Sequence, residues 1–413
     1  MPELFTVVPP SEAFAALTRR CSPVTRRETV ALEAARDRVT SAAIVAGETL
    51  PAFARATMDG YAVRAADTHG ASESAPAYLR FAGEALMGAV PAVSVGRHEA
   101  VRIHTGAMLP AGADAVVMVE ETNLHGDEVE VLATAAVGEN VLTVGEDIRA
   151  ASTAVASGVR LRAADLGGLA ALGIARVPVV GRPRIAILST GDEVVPIAAS
   201  PRMAQVRDIN SMTIAATIDR AGGIALPAGI VRDDEDAMFA AARAALDGAD
   251  ALVLSAGSSV SVRDLTARVV DRLGAPGIFV HGIALRPGKP TVIAVCDGKP
   301  VIGLPGNPAS ALIVAWRLLR PLVQYLGGEN VAPDGRDSFE TEAVLTANVP
   351  SRPGREDFVP ATLARAEDGT LHATPIFGSS NLIFTLVRAD GVIAVPADRS
   401  GLAAGERARI VHP

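Results

Sequence analysis

Four loops of this chain carry the residue types that a polyanion and a divalent cation would need. Arg286 and Lys289 bracket Pro287 and Gly288 and are followed by Pro290, so two positive charges sit on a loop that proline stiffens. Asn307, Pro308 and Ser310 read as a helix start, with Asn307 at the cap and Pro308 at the first helical position, where unpaired N–H groups can meet an oxyanion. Asp192, Glu193, Asp208 and Asp264 offer the hard oxygens that Mg²⁺ takes when it bridges protein to phosphate. Asp59, before Gly60 in the segment MDGYA, is a further acid. Each group also has a plainer use: Asp264 and Asn307 as caps, Arg286 and Lys289 as a solvated turn, Asp59–Gly60 as a tight turn, His104 as a packed residue. Convergence is what separates a site from such uses.

The elements that must bring these loops together centre on residues 184–195, RIAILSTGDEVV. A β-branched apolar run there breaks into Ser189, Thr190, Gly191, Asp192 and Glu193, as a buried parallel strand does at the carboxyl edge of a sheet. Residues 208–222 read as a helix, 224–230 as a strand, 233–246 as a helix and 251–254 as another buried strand. That alternation predicts a parallel sheet covered on both faces. The second buried strand ends in Ser255, Ala256 and Gly257, and a third helix carries Val262, Leu265, Val269 and Leu273 on one stripe, which places Asp264 in its first turn. Residues 278–285 lead into Arg286 to Pro290, and 301–304 into Pro305, Gly306 and Asn307. Four strand ends would thus deliver four loops to one edge, the usual binding crevice of such a domain.

With 413 residues, 49% of them hydrophobic, the chain can fill more than one core, since single cores stop growing near about 250–300 residues. A net charge of −8 with no basic run argues against a nucleic-acid partner. Cys21 and Cys296 match no metal-ligand spacing and fit a reducing, cytoplasmic setting; no basic, apolar leader opens the chain, and the weakly polar stretch 166–180 is broken by Arg176 and Pro178, so no membrane span is expected. Residues 11–20 and 28–43 read as helices, 50–131 as short strands between Gly and Pro, and 339–413 as a small barrel or sandwich. The expected domains are 1–49 with 141–181, a helix and linker unit; 50–140, β-rich; 182–327, α/β; and 328–413, β.

No dinucleotide glycine fingerprint, HExxH or nucleophile elbow is present, and the phosphate-loop near-miss at 282–289 has misplaced glycines and Pro290 in place of a hydroxyl. The motifs that do recur in combination are MDGYAV at Met58, TGA and PAGADAVVMVEET within 105–122, GEDI at Gly145, STGDE at Ser189, DINS at Asp208, RPGKP at Arg286 and GLPGNPAS at Gly303. In that order they resemble the molybdopterin molybdenumtransferases, the family of the bacterial MoeA proteins and the gephyrin E domain. The resemblance implies a multidomain α/β plus β fold: a molybdopterin-binding α/β domain, an inserted β domain, an elongated helix and linker domain and a C-terminal β-barrel. It also implies a homodimer whose site combines the α/β domain of one subunit with Asp59, Thr105 and Asp147 of the other.

The implied reaction inserts molybdate into adenylylated molybdopterin with a divalent cation and releases AMP. Glu193 and Asp264 would be metal or catalytic carboxylates, with Asp59, Thr105 and Asp147 in support. The pterin nucleotide would lie against Ser189, Thr190, Gly191, Asp192, Asp208, Ser255, Gly257, Pro305, Gly306 and Asn307, and molybdate against Arg286, Lys289, Pro290, Ser310 and Arg355. Other cofactor-biosynthesis proteins are implied partners. Departures from the pattern are Ala256 and Ser261 where glycine is usual, Val262 for an acid, Arg286 for Lys, Leu142 to Val144 for an Arg run, and His104 for an apolar residue. They leave open a divergent paralogue that binds a pterin nucleotide or tungstate with little turnover, and a gephyrin-like scaffold.

Overall fold

The computed structural model describes residues 7–256, 260–335 and 340–412, the side chains of 260–263 excepted. It divides into two compact units: Met1–Ser41, Gly158–Arg162 and Arg176–Pro413 form one, Ala42–Ser157 and Ala163–Ala175 the other.

The first unit is built on a six-stranded sheet in the spatial order Ile224–Val231, Arg184–Thr190, Ala251–Ala256, Lys299–Pro305, Val292–Cys296, Pro276–His281. The first four are parallel neighbours, and the last two add antiparallel pairings, so the sheet is mixed where the alternation predicted a parallel one. The short connection through Asp297 and Gly298 is what makes a hairpin in place of a crossover. Side chains alternate as a two-residue period requires. Ile185 and Ile187 point into a core with Ile214, Ile218, Leu318 and Leu322, while Ala186 and Leu188 face Met238, Ala242 and Leu246 on the other side. Each buried Ile, Leu or Met here contributes about 1.5–3 kcal/mol, so the strand is fixed from both faces. The N-terminal helix Pro10–Thr18 packs Phe14 and Leu17 into the first of these cores.

Residues 28–43, expected as a helix, instead form the strand Arg27–Ala31 and the 3₁₀ turn Leu32–Ala34. The strand pairs antiparallel with Arg176–Val180, whose proline and valines had read as a linker. β-Branched Thr29 and Val30 find a partner strand, and tertiary pairing overrides local helical spacing. The helix from Pro308 changes to a π-turn at Ala315–Leu319 before Arg320–Leu326. Pro321 supplies the cause, because it lacks the N–H that would bond back four residues.

A closed five-stranded barrel completes this unit. Glu356–Arg365, Leu371–Pro375, Glu340–Leu345, Arg407–Val411 and Gly391–Val395 pair in a ring, the last returning to the first. Leu345, Ala361, Ala373, Ile393 and Ile410 fill its interior. The two-residue strand Leu285–Arg286 joins Glu356–Asp357 in parallel, so the α/β sheet and the barrel meet at that pairing.

The second unit holds another six-stranded sheet, Ala115–Met118, Gly60–Val63, Glu99–Ile103, Ala77–Ala85, Glu128–Val131, Thr122–His125 in spatial order. Gly60 opens a strand, not a tight turn. A Cβ there would lie 1.9 Å from the Val117 carbonyl oxygen, so the close approach of the two strands requires glycine. Among the described residues no helix is long and apolar enough to cross a membrane. Both cysteines are free and buried, and burial pushes each thiol up to about 11.

Candidate functional site

Where the α/β sheet meets the barrel, a cleft of about 820 Å³ is lined by Arg286, Lys289, Pro290, Ser310 and Arg355, together with Pro305 and Asn307. The loop that carries the first three needs Gly288, which has φ +131° and lies where a Cβ would come 2.5 Å from Val314 Cγ2. Arg286 and Lys289 are exposed. Arg352 adds a fourth cation, and Asp357 is the one acid among the described lining residues. Asp357 is 2% exposed and accepts from Arg355 Nε at 2.8 Å, Arg355 Nη2 at 3.3 Å and Arg286 Nη1 at 3.4 Å.

The helix start beside the cleft differs from expectation in one respect. Pro308 is the first helical residue and Asn307 stands at the cap, but the Asn307 side chain makes no cap bond. Its Nδ2 donates to Ser380 Oγ at 3.0 Å, and the Ala309 N–H goes to the Ser380 carbonyl at 3.1 Å. That N–H is therefore engaged within the chain, and the positive charge of the cleft comes from its four basic side chains.

At the carboxyl edge of the sheet the polar loops are wired to one another. Ser189 Oγ donates to Asp208 Oδ2 at 2.7 Å, and the Ser211 N–H donates to Asp208 Oδ1 at 3.1 Å. Asn210 Nδ2 donates to Ser255 Oγ at 2.8 Å and to the Gly306 carbonyl at 2.9 Å, so one amide ties three strand ends together. Buried polar atoms left without a protein partner gather here as well: Thr190 Oγ1, Asn210 Oδ1 and Asp233 Oδ1. Such atoms are rare in folded proteins and mark places where water or ligand completes the bonding. Gly191, Asp192, Asp208 and Ser211 line a second cavity of about 550 Å³.

Asp233 follows the strand Ile224–Val231, a fifth strand end at this edge. Loss of water and the charges of Asp192 and Glu193 hold its carboxyl above the usual range, against an opposing N–H bond from Asp192. Three acidic side chains thus share a field that a hard cation would relieve. Among the described residues no three His, Cys, Asp or Glu side chains converge into a finished metal cage. Mg²⁺ commonly takes only one or two carboxylates and completes its shell with phosphate and water, so this donor set fits it.

Asp264 stands elsewhere than the sequence placed it. The helix runs Val260–Arg272, starting inside the stretch read as loop, so Asp264 is exposed in the second turn and beyond the first-turn reach of the helix dipole. Gly257 lies outside the described residues. Ala256 ends its strand without a positive φ, so the departure from glycine costs no strain there.

In the second unit Asp59 and Thr105 form a pair. The Thr105 N–H and Oγ1 both donate to Asp59 Oδ1 at 2.7 Å, and these bonds, with a smaller contribution from His104, hold the exposed Asp59 carboxyl below its usual range. His104 lies 3.8 Å from Asp59 Oδ2 and 2.9 Å from Glu84 Oε1. It is a partner of two acids rather than a packed residue. Asp147 is exposed, its N–H bound to the Leu50 carbonyl at 3.2 Å, and Thr143 takes the Glu146 carboxylate in the segment that lacks an Arg run.

Sequence reasoning missed Asp233 and Asp357. Residues 233–246 read as one helix, which made Asp233 its first residue; the structure instead caps the helix with Asp234, whose side chain accepts from the Ala237 N–H at 2.9 Å, and leaves Asp233 in the loop. Asp357 carried no local signal except its place after Arg355 and Glu356.

Comparison with known proteins agrees with this layout. Residues 8–173 match the MoeA N-terminal region (domain I and II), 186–325 a probable molybdopterin binding domain, and 342–411 the MoeA C-terminal region (domain IV). The molybdopterin molybdenumtransferase of Bacillus subtilis is 32% identical, covering 100% of this chain and 95% of that protein. Molybdopterin molybdenumtransferase 2 of Mycobacterium tuberculosis is 34% identical over 96% of each. A crystal structure of the MoeA protein from Pyrococcus horikoshii superposes with a TM-score of 0.76 at 35% identity, covering 98% of this chain and 99% of that one. Three regions matched in one order, over nearly the full length of these relatives, make this chain a member of the molybdopterin molybdenumtransferase family of enzymes.

Proposed function

We propose that the chain inserts molybdate into adenylylated molybdopterin and releases AMP. The observation that carries this reading is the cationic cleft between sheet and barrel, where Arg286, Lys289, Arg352 and Arg355 surround space for a tetrahedral oxyanion. Arginine forks suit oxyanion geometry, and the Lys289 ammonium adds a compact charge. The nearby sheet edge offers hydroxyl and amide groups of Ser189, Thr190, Asn210 and Ser255 to a polar ligand. One or two of Asp192, Glu193 and Asp233 would hold Mg²⁺, which would neutralise charge on the phosphates when bound, and Asp264 is assigned as a metal or catalytic carboxylate by its family position. Asp59, Thr105 and Asp147 complete the site from a second subunit in this reading.

AMP release from adenylylated molybdopterin, measured with Mg²⁺ and a series of molybdate and tungstate concentrations, tests it. Release coupled to formation of active cofactor is expected, and Lys289→Ala should raise the molybdate requirement by about tenfold or more. Tight nucleotide binding without release would favour the low-turnover binder. Neither binding nor release would leave the scaffold.

A further inference from the structure

We infer that Asp357 is a positioning residue for the oxyanion cleft: its buried carboxylate clamps the Arg355 and Arg286 guanidiniums in the orientation that receives the anion. The inference rests on the proposed oxyanion reading of the cleft.

Register and burial carry it. Arg286 and Asp357 are direct partners in the parallel pairing that joins the α/β sheet to the barrel, so the two side chains meet because the backbone sets them opposite each other. Arg355 reaches the same carboxylate from two residues away with two N–H groups, at 2.8 and 3.3 Å, the bidentate geometry that fixes a guanidinium plane. Asp357 is almost wholly buried while the Arg355 and Arg286 side chains keep 31% and 61% of their exposure. Arg355 is therefore held along one edge and Arg286 at one nitrogen, each with most of its five donors left over. A lysine at 286 would supply charge without a fork able to span the carboxylate and an anion together.

The strand is anchored from its other side as well. Glu356, next in line and facing oppositely, accepts from Arg317 Nε at 3.1 Å, and Arg317 belongs to the π-turn of the helix whose first turn carries Ser310. Asp357 thus stands on a segment tied both to the Arg286 loop and to the Ser310 helix.

Simple charge counting and positioning predict opposite results for Asp357→Asn. Removing an acid from a cleft with four cations makes it more positive, which by Coulomb attraction alone would tighten anion binding. Positioning predicts the reverse. Molybdate binding to the purified chain, followed by isothermal titration calorimetry, should weaken about tenfold or more in Asp357→Asn and recover in part in Asp357→Glu, with thermal melting recorded for each variant. Arg355→Lys should weaken binding to a similar degree, and combining it with Asp357→Glu should cost less than the product of the separate losses, because both act through one clamp. That pair also decides the matter if the Asn variant fails to fold.

Unchanged or tighter molybdate binding in Asp357→Asn, or independent losses in the paired variants, would overturn the inference. Absence of saturable molybdate binding in the parent chain, or no effect of Lys289→Ala, would instead sink the oxyanion reading and this inference with it.

Discussion

At the scale of single residues, the acids of the proposed site sit in different electrostatic settings. Asp59 is held ionised by two donors from Thr105, and the sign of the consequence follows from the direction of the shift. Because its folded-state pKa is depressed, the stabilising interaction is complete above the unfolded value and is lost as pH falls through the folded one. Thr105→Val removes the hydroxyl donor and keeps the N–H, so it should move the Asp59 carboxyl part of the way back up toward the ordinary range, read by carboxyl carbon NMR across an acid titration; an unmoved midpoint would show that the hydroxyl contributes nothing. Asp264 is exposed, so Asp264→Asn should leave the melting temperature nearly unchanged while abolishing AMP release. Equal release by parent and variant would remove Asp264 from the chemistry. Types and spacing made the Arg286, Lys289 and Ser310 group readable in the sequence. Asp357 was not, because its meaning comes from a strand partner 71 residues earlier.

At the scale of elements, short apolar runs that break into polar loops exposed the strands of the α/β sheet, and short strands between turns pointed to a small barrel or sandwich in the tail. Ile185 to Leu188 is one such run, its side chains shared between two cores. The Arg27–Ala31 strand was hidden because its pairing partner lies far away in sequence, and the start at Val260 because Ser258, Ser259 and Ser261 are all suitable cap residues by type. The Arg286 loop illustrates how an element holds chemistry in place. Its Gly288 combines a left-handed φ with contact against Val314, a residue of the helix that carries Ser310. Gly288→Ala should destabilise this unit by about 1–3 kcal/mol. Denaturant unfolding should show the loss, and molybdate affinity should fall with it as Lys289 is displaced; stability equal to the parent would show that the loop absorbs a Cβ without strain.

At the scale of the whole molecule, the proposed reading divides the acting residues between two compact units of one chain, with Lys289 in one and Asp59 in the other. If a homodimer completes each site from both subunits, inactive Asp59→Asn and Lys289→Ala chains should rescue each other. Statistical mixing would restore about a quarter of parental AMP release, since half the dimers are mixed and each mixed dimer has one intact site. No recovery after confirmed subunit exchange would assign all acting residues to a single chain. The order of motifs made the family legible, whereas subunit arrangement leaves no periodic trace in a sequence.

The two-residue pairing of Leu285–Arg286 with Glu356–Asp357 also has a temporal meaning. During synthesis the Arg286 loop leaves the ribosome well before the strand that orients it, and the barrel ring closes only when Arg407–Val411 arrives. Chains interrupted before that strand would carry Arg286 and Lys289 yet lack the closed ring that holds Asp357 against them. If the cleft receives an oxyanion as proposed, its capture would wait on completion of the barrel.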